Sequence, residues 1–332
     1  MSTAAPSSSA SMAPGPVPWS AYLKMARLDH MTKHVFILPG LVLAYVLRTP
    51  SLENAGWAIL IGLASAVLIA SANYILNEWL DREFDAFHPD KSGRPAVNMH
   101  MSPLVVYGMY GAASLGGLWL AYWVGWLFFV VSILFWASGV VYNVKPMRSK
   151  DKAYMDVLSE SINNPIRMML GWAMIEQTTI APSSLLLAYW MGGAFLMGAK
   201  RLSEYREIAA GPGVGVLHRY RRSFQHYTEE RLTISCFVYA MLSTFLMGVF
   251  LIKYRIEYVL AFPLIVLMFA HYLGLSMRSG SVAQKPEKLF REKRLMVISI
   301  AVVTLLVVLS FVRIPALSGF SEPHFIGVQQ GS

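Results

Sequence analysis

Apolar residues in this chain come in runs of about 20, the length of helix needed to cross a bilayer core. They fall at about 34 to 48, 57 to 78, 103 to 122, 125 to 143, 154 to 175, 184 to 205, 233 to 252, 257 to 277 and 294 to 312. Only 14% of the 332 residues are charged and 55% are hydrophobic, where a soluble domain carries about 25% charge. An ordinary soluble enzyme is therefore excluded. The pattern predicts an all-α polytopic membrane protein, with nine transmembrane helices around a cytoplasm-facing polar cavity. Residues 1–20, rich in Ser, Ala and Pro and without a continuous apolar core, predict a disordered tail, not a signal peptide. The membrane domain then covers 21–313, with 314–332 as a C-terminal tail. Pro50 and Pro182 mark the first and fifth connections. A single cysteine, Cys236, excludes a disulfide or a cysteine metal site within one chain.

Basic residues orient the helices, because Lys and Arg are retained on the cytoplasmic side of short loops. The chain has 28 of them against 19 Asp and Glu, a net charge of +9. Apart from Arg48, Lys253, Arg255, Arg313 and the intrahelical Arg167, all lie in the N-terminal approach or in the even-numbered connections. The N-terminus and those connections are thereby predicted to face the cytoplasm, from the inner (cytoplasmic) membrane. This asymmetry accounts for most of the basic charge, and no nucleic-acid motif is present.

The second run ends in Asn77-Glu78-Trp79-Leu80-Asp81-Arg82-Glu83-Phe84-Asp85. At about 100° per residue, Asn77, Glu78, Asp81 and Asp85 share roughly 100° of arc. Acids this close repel and raise one another's pKa unless a cation sits among them, and hard oxygen donors are what magnesium takes. A diphosphate held through Mg2+ is the sharper reading; a solvated helix end is the plainer one. His88, Lys91 and Arg94 follow directly, and metal-bound phosphates need such cations.

A second polar stripe lies in the fifth run, where Asp156, Glu160, Asn163, Asn164 and Arg167 share one face if the helix stays regular. Charges at membrane depth usually face a cavity or a partner, so this stripe either lines the substrate cavity or pairs Arg167 with Glu160. Pro165 removes a backbone hydrogen bond and predicts a kink. The sixth run closes with Lys200, Arg201 and Glu204, and the loop beyond adds Arg219, Tyr220, Arg221, Arg222, Ser223 and Tyr227. Adjacent cations at a helix end suit phosphate oxygens.

Asn77-x-x-x-Asp81-x-x-x-Asp85 on a second transmembrane helix resembles the UbiA superfamily of intramembrane prenyltransferases, over roughly residues 22 to 312. Within it the chain is most similar to the decaprenyl-phosphate phosphoribosyltransferase branch, through His88-Pro89-x-Lys91-x-x-Arg94-Pro95, Lys200-Arg201-x-x-Glu204 and the stretch from Tyr220 to Tyr227. Three features depart from the family pattern. Glu78 stands where Asp is usual, Asn163-Asn164-Pro165 is unusual, and near the N-terminus only the cations Arg27 and Lys33 of the family's motif are kept.

The resemblance implies transfer of 5-phosphoribose from phosphoribosyl diphosphate (PRPP) to a polyprenyl phosphate, with release of diphosphate. Mg2+ would be held by Asn77, Glu78, Asp81 and Asp85, with Asp81, Asp85 and Asn77 as the catalytic set. Lys33, Lys91, Arg94, Asp156, Glu160, Arg167, Lys200, Arg201 and Glu204 would bind substrate; Lys91, Arg94 and Arg201 are the candidate phosphate contacts. The partners implied are PRPP, the polyprenyl phosphate and membrane lipids, with a homo-oligomer left open. Two other readings stand beside it. An aromatic prenyltransferase would take the isoprenoid itself as the magnesium diphosphate, and a transporter would use the acids of the second and fifth helices as an ion path.

Overall fold

A computed structural model describes residues 17–48, 55–88, 91–211, 213–278 and 292–320. Side chains at 30–33, 220, 318 and 320 fall outside that set. The readings made of Lys33, Pro50, Pro89, Tyr220 and residues 1–16 and 321–332 therefore lie outside the described residues, as do Lys285, Lys288 and Arg291 of the eighth connection.

The described residues form helices and connections only. α1 (Trp19–Met25) begins inside the expected N-terminal tail and precedes a 3-10 stretch, Leu28–Ile37, that leads into α2 (Leu38–Arg48). The 31-residue α3 (Ala55–Asp85) carries the acids at its C-terminal end. Next come the short α4 (Pro95–Asn98), α5 (Pro103–Val124) and α6 (Trp126–Asn143). The fifth run is split into α7 (Met155–Ser161) and α8 (Asn163–Ile175), and α9 (Ser183–Ala210) follows. α10 (Val214–Tyr220) lies in the long loop, before α11 (Glu229–Tyr254), α12 (Phe262–Ser276) and α13 (Lys293–Phe311). In the C-terminal tail, Pro315–Phe320 forms a 3-10 turn.

Six of the nine apolar runs become helices long and apolar enough to cross a membrane: α3, α5, α6, α11, the segment Ile256–Ser276 that contains α12, and α13. The other three take different forms. α2 has 11 residues and α8 has 13, while α9 is long but mixes its apolar half with a charged C-terminal third. The split at Ile162 has a local cause. A proline ring clashes with the carbonyl four residues back; for Pro165 that residue is Ser161, where α7 stops.

α8 is buried nearly all round, from Asn164 through Met174, so it serves as a core helix. Its crossing with α2 is made by glycine. A Cβ on Gly40 would lie 1.8 Å from the Met168 carbonyl oxygen, and one on Gly171 would lie 2.0 Å from that of Ile37. Backbone thus rests directly on backbone. α3 packs along α5, and α9 along α11. Outward faces are apolar, and the α5–α6 turn exposes Trp119, Tyr122, Trp123 and Trp126, an aromatic band of the kind that sits at headgroup level. It lies at the end of the bundle away from the α3 acids, since α5 runs antiparallel to α3.

Candidate active site

A cavity of about 1150 Å³ opens where α3 and α9 end and where the 143–155 and 211–228 connections converge. Asn77, Glu78, Asp81 and Asp85 all line it, as the one-face spacing on α3 requires. Their mutual repulsion is relieved by cations of the chain itself. Arg27 Nη2 lies 3.2 Å from Glu78 Oε2, and Arg94 pairs with Asp85. Asp81 Oδ1 takes both Lys150 Nζ at 2.6 Å and Arg148 Nη2 at 2.9 Å. Lys150 also donates to Asn77 Oδ1 at 3.2 Å and to Asn143 Oδ1 at 2.6 Å.

Two of these cations sit on unusual backbone. Arg27 (φ 49°) and Arg148 (φ 26°) have positive φ, as does Tyr154 (φ 65°), a conformation that costs of order 1–3 kcal/mol and gathers at functional sites. Each arginine is turned toward an acid of α3. Burial pushes the Lys150 ammonium down to about 8 and that of Lys91 to about 7, against the opposing pull of Asp81 and of Glu204 and Asp85 respectively.

The opposite wall is organised by Arg201. It is 2% exposed, yet Nη1 donates to Glu204 Oε2 at 3.0 Å, Nη2 to Glu160 Oε2 at 2.7 Å, and Nε lies 3.4 Å from Asp156 Oδ2. Its guanidinium is thus committed to three carboxylates, where the sequence suggested a phosphate contact. Glu204 in turn meets His88 Nε2 at 3.2 Å, tying the loop after α3 to α9. Asp156 is wholly buried and does not line the cavity; Ser223 and Tyr227 both donate to it, at 3.0 and 2.7 Å. Burial and the Asp156 carboxylate push the Tyr227 phenol up, so it stays a donor. Asp156 therefore anchors the 211–228 connection. From that connection Arg221 donates to Tyr142 Oη at 2.8 Å, and Tyr142 donates to Glu160 at 3.0 Å.

Glu160, Asn163, Asn164, Arg167, Lys91, Arg94 and Lys200 also line the cavity. The stripe of the fifth run thus reaches the site despite the break at Ile162, with Asp156 set behind it. Sequence reading did not place Arg148, Lys150 or Tyr142 in the site, and it named Arg221 only as part of the basic loop after the sixth run. The signal existed for the cations, but each stands in a basic connection and reads as topology, while Arg148 meets its partner 67 residues away.

No three of His, Cys, Asp and Glu among the described residues converge to hold a metal unaided. Magnesium commonly takes one or two carboxylates and completes its octahedron from substrate phosphates and water. Asp81 and Asp85, one turn apart on the cavity wall with Asn77 one turn before Asp81, form an all-oxygen set of that kind, and Glu78 Oε1 beside them is buried without a hydrogen-bond partner among the described residues. The residues present fit the ion when a diphosphate shares it.

Fold and site together define a multi-pass membrane protein with a charged cavity at one end of its bundle, the build of an intramembrane transferase. The chain belongs to the UbiA prenyltransferase family, whose sequence profile matches residues 35–293. It is 25% identical over 215 residues to the decaprenyl-phosphate phosphoribosyltransferase of Mycolicibacterium smegmatis, a match spanning 64% of each chain. Its fold is similar to that of a UbiA homolog from Archaeoglobus fulgidus bound to GPP and Mg2+, with a TM-score of 0.64 at 20% identity over 88% of this chain and 100% of that one. A digeranylgeranylglyceryl phosphate synthase aligns with a TM-score of 0.58 at 11% identity, over 88% of this chain and 96% of the other.

Proposed function

We propose that this transferase moves 5-phosphoribose from PRPP to a polyprenyl phosphate and releases diphosphate. The observation that carries the reading is the charge of the cavity. Eleven Lys and Arg line it against seven Asp and Glu, an excess that remains with every acid ionised. An isoprenyl diphosphate with a neutral or singly charged aromatic acceptor calls for less. PRPP and a lipid phosphate bring a diphosphate and two separate phosphates into one site. The similarity to a decaprenyl-phosphate phosphoribosyltransferase points the same way.

In this reading an oxygen of the lipid phosphate attacks C1 of PRPP, the bond from C1 to the diphosphate oxygen breaks, and diphosphate leaves with the electron pair. The lipid phosphate is already anionic near pH 7, so no strong base is needed and the protein supplies orientation and charge stabilisation. Asp81 and Asp85, with Asn77 and Glu78 beside them, would hold magnesium, which supplies Lewis-acid stabilisation of charge on the departing diphosphate. Lys91, Arg94, Lys150 and Arg148 stand around that position, and Lys200 and Arg221 face it from the far wall. Arg201 keeps Glu160 and Glu204 in place. The cavity faces the cytoplasm, where the basic connections lie.

Membranes containing the protein, given PRPP labelled in the ribose and a polyprenyl phosphate, should form a labelled lipid. Absence of that product beside turnover of an isoprenyl diphosphate with an aromatic acid would overturn the assignment, and substrate flux without a covalent product would favour transport.

A further inference from the structure

We propose that Arg167 forms a second anion subsite at the floor of the cavity, which takes the 5-phosphate of the donor while the diphosphate lies at the α3 acids. This deepens the phosphoribosyl reading and rests on it. Arg167 stands on the core helix α8, is only 8% exposed, and lines the cavity. Its guanidinium lies over the Phe135 ring, 5.0 Å from the centroid, and it hydrogen-bonds Tyr74. Its Nε is buried with no hydrogen-bond partner among the described residues, and Nδ1 of the neighbouring His34 is likewise unpartnered.

A buried cation with an unspent donor at membrane depth is costly, and such groups mark ligand sites. The site lies below the acids. Tyr74 is one turn deeper than Asn77 on α3 and seven residues before Asp81, roughly 10 Å along the helix axis at 1.5 Å per residue. That separation places a sugar ring between a diphosphate at Asp81 and a phosphate at Arg167. An isoprenyl tail entering the same floor would instead set hydrocarbon against an unsatisfied guanidinium. Asn164, 8% exposed on the same helix and also on the cavity wall, adds a polar neighbour that suits phosphate better than a tail.

The test compares PRPP with ribose 1-diphosphate, the same donor without its 5-phosphate, on the full chain in membranes. In the wild type, removing the 5-phosphate should lower kcat/KM strongly. Arg167→Gln should lower kcat/KM for PRPP by roughly 10-fold to 150-fold, the range of a charge-assisted contact. It should leave ribose 1-diphosphate and the KM for the lipid nearly unchanged, and Arg167→Lys should recover part of the loss. Thermal protection of the detergent-solubilised protein by PRPP should fall in parallel, without any turnover being required. Equal losses with both donors, or a rise confined to the lipid KM, would overturn the subsite while leaving the phosphoribosyl reading intact. If the wild type uses neither ribosyl donor but turns over an isoprenyl diphosphate, both readings fail together. Should Arg167→Gln not fold, the donor comparison on Arg167→Lys decides in the same way.

Discussion

Lys150 reaches across the cavity to Asp81, its ammonium nitrogen 2.6 Å from Oδ1, and shares that oxygen with Arg148. Read from sequence alone, removal of a charge from the acid stripe should relieve repulsion. With the cations in place the sign reverses. Asp81→Asn should abolish turnover and also lower thermal stability, because it takes the carboxylate from the buried Lys150 and leaves Arg148 with the Asp151 carboxylate alone. Breaking a buried pair costs about 3–5 kcal/mol, and the 18% exposure of Asp81 sets the expectation toward the lower end. Thermal unfolding in detergent and turnover in membranes check both parts; near wild-type activity would sink the proposed role.

Arg201→Ala should act on the fold before it acts on the substrate. The substitution leaves Asp156, Glu160 and Glu204 without their shared counter-charge, and should lower folded yield and melting temperature sharply. Arg201→Lys should rescue only part, since one ammonium cannot fork to three carboxylates. A stable Arg201→Ala protein with a raised KM alone would restore the phosphate-contact role.

Lys91 gives the free protein a pH dependence. Burial holds its ammonium at about 7, so the charged form suited to phosphate is lost as pH rises through that value. The kcat/KM profile, which reports groups of the free enzyme, should fall on the alkaline side with a midpoint near 7. Lys91→Arg should remove that limb, because a guanidinium stays charged. The linkage has the opposite sign for stability. Between about 7 and 10.5 the unfolded chain binds more protons at Lys91 than the folded one, so this group's contribution rises with pH across that window. An unchanged profile in Lys91→Arg would count against the assignment.

Gly171→Ala should separate α2 from α8. The new methyl would meet the Ile37 carbonyl oxygen, which is backbone and has no rotamer to change. Overpacking typically costs 1–3 kcal/mol and can cost more. Thermal unfolding should show the loss, and an unshifted melting temperature would mean that α2 can give way.

The membrane class and the α3 stripe were legible because period and hydropathy are local properties: Asn77, Asp81 and Asp85 share a face wherever the helix goes. Contacts between distant connections were not legible. Nothing near Arg148 marks it as the partner of Asp81, and nothing near Asp156 shows that Ser223 and Tyr227 will close over it. Arg201-x-x-Glu204 does announce an i, i+3 pair, but not that Glu160 and Asp156 complete it. The break at Ile162 was half legible, since Pro165 marks a disturbance without saying that the chain will restart as a core helix.

The ion pairs around the cavity also impose an order on biosynthesis. Asp81 leaves the ribosome long before Arg148, and Glu160 and Asp156 before Arg201 and Arg221. A nascent chain that has inserted only α3, α5 and α6 therefore carries Asp81 without Arg148 and Lys150, although Glu78 and Asp85 already have Arg27 and Arg94. The cavity end of the bundle is completed late, after the α9 terminus and the loop beyond it have been translated. A chain stopped short of Arg201 would hold three of the six long apolar helices and would display Asp156 and Glu160 without their arginine, a ready mark for cellular surveillance of unfinished membrane proteins.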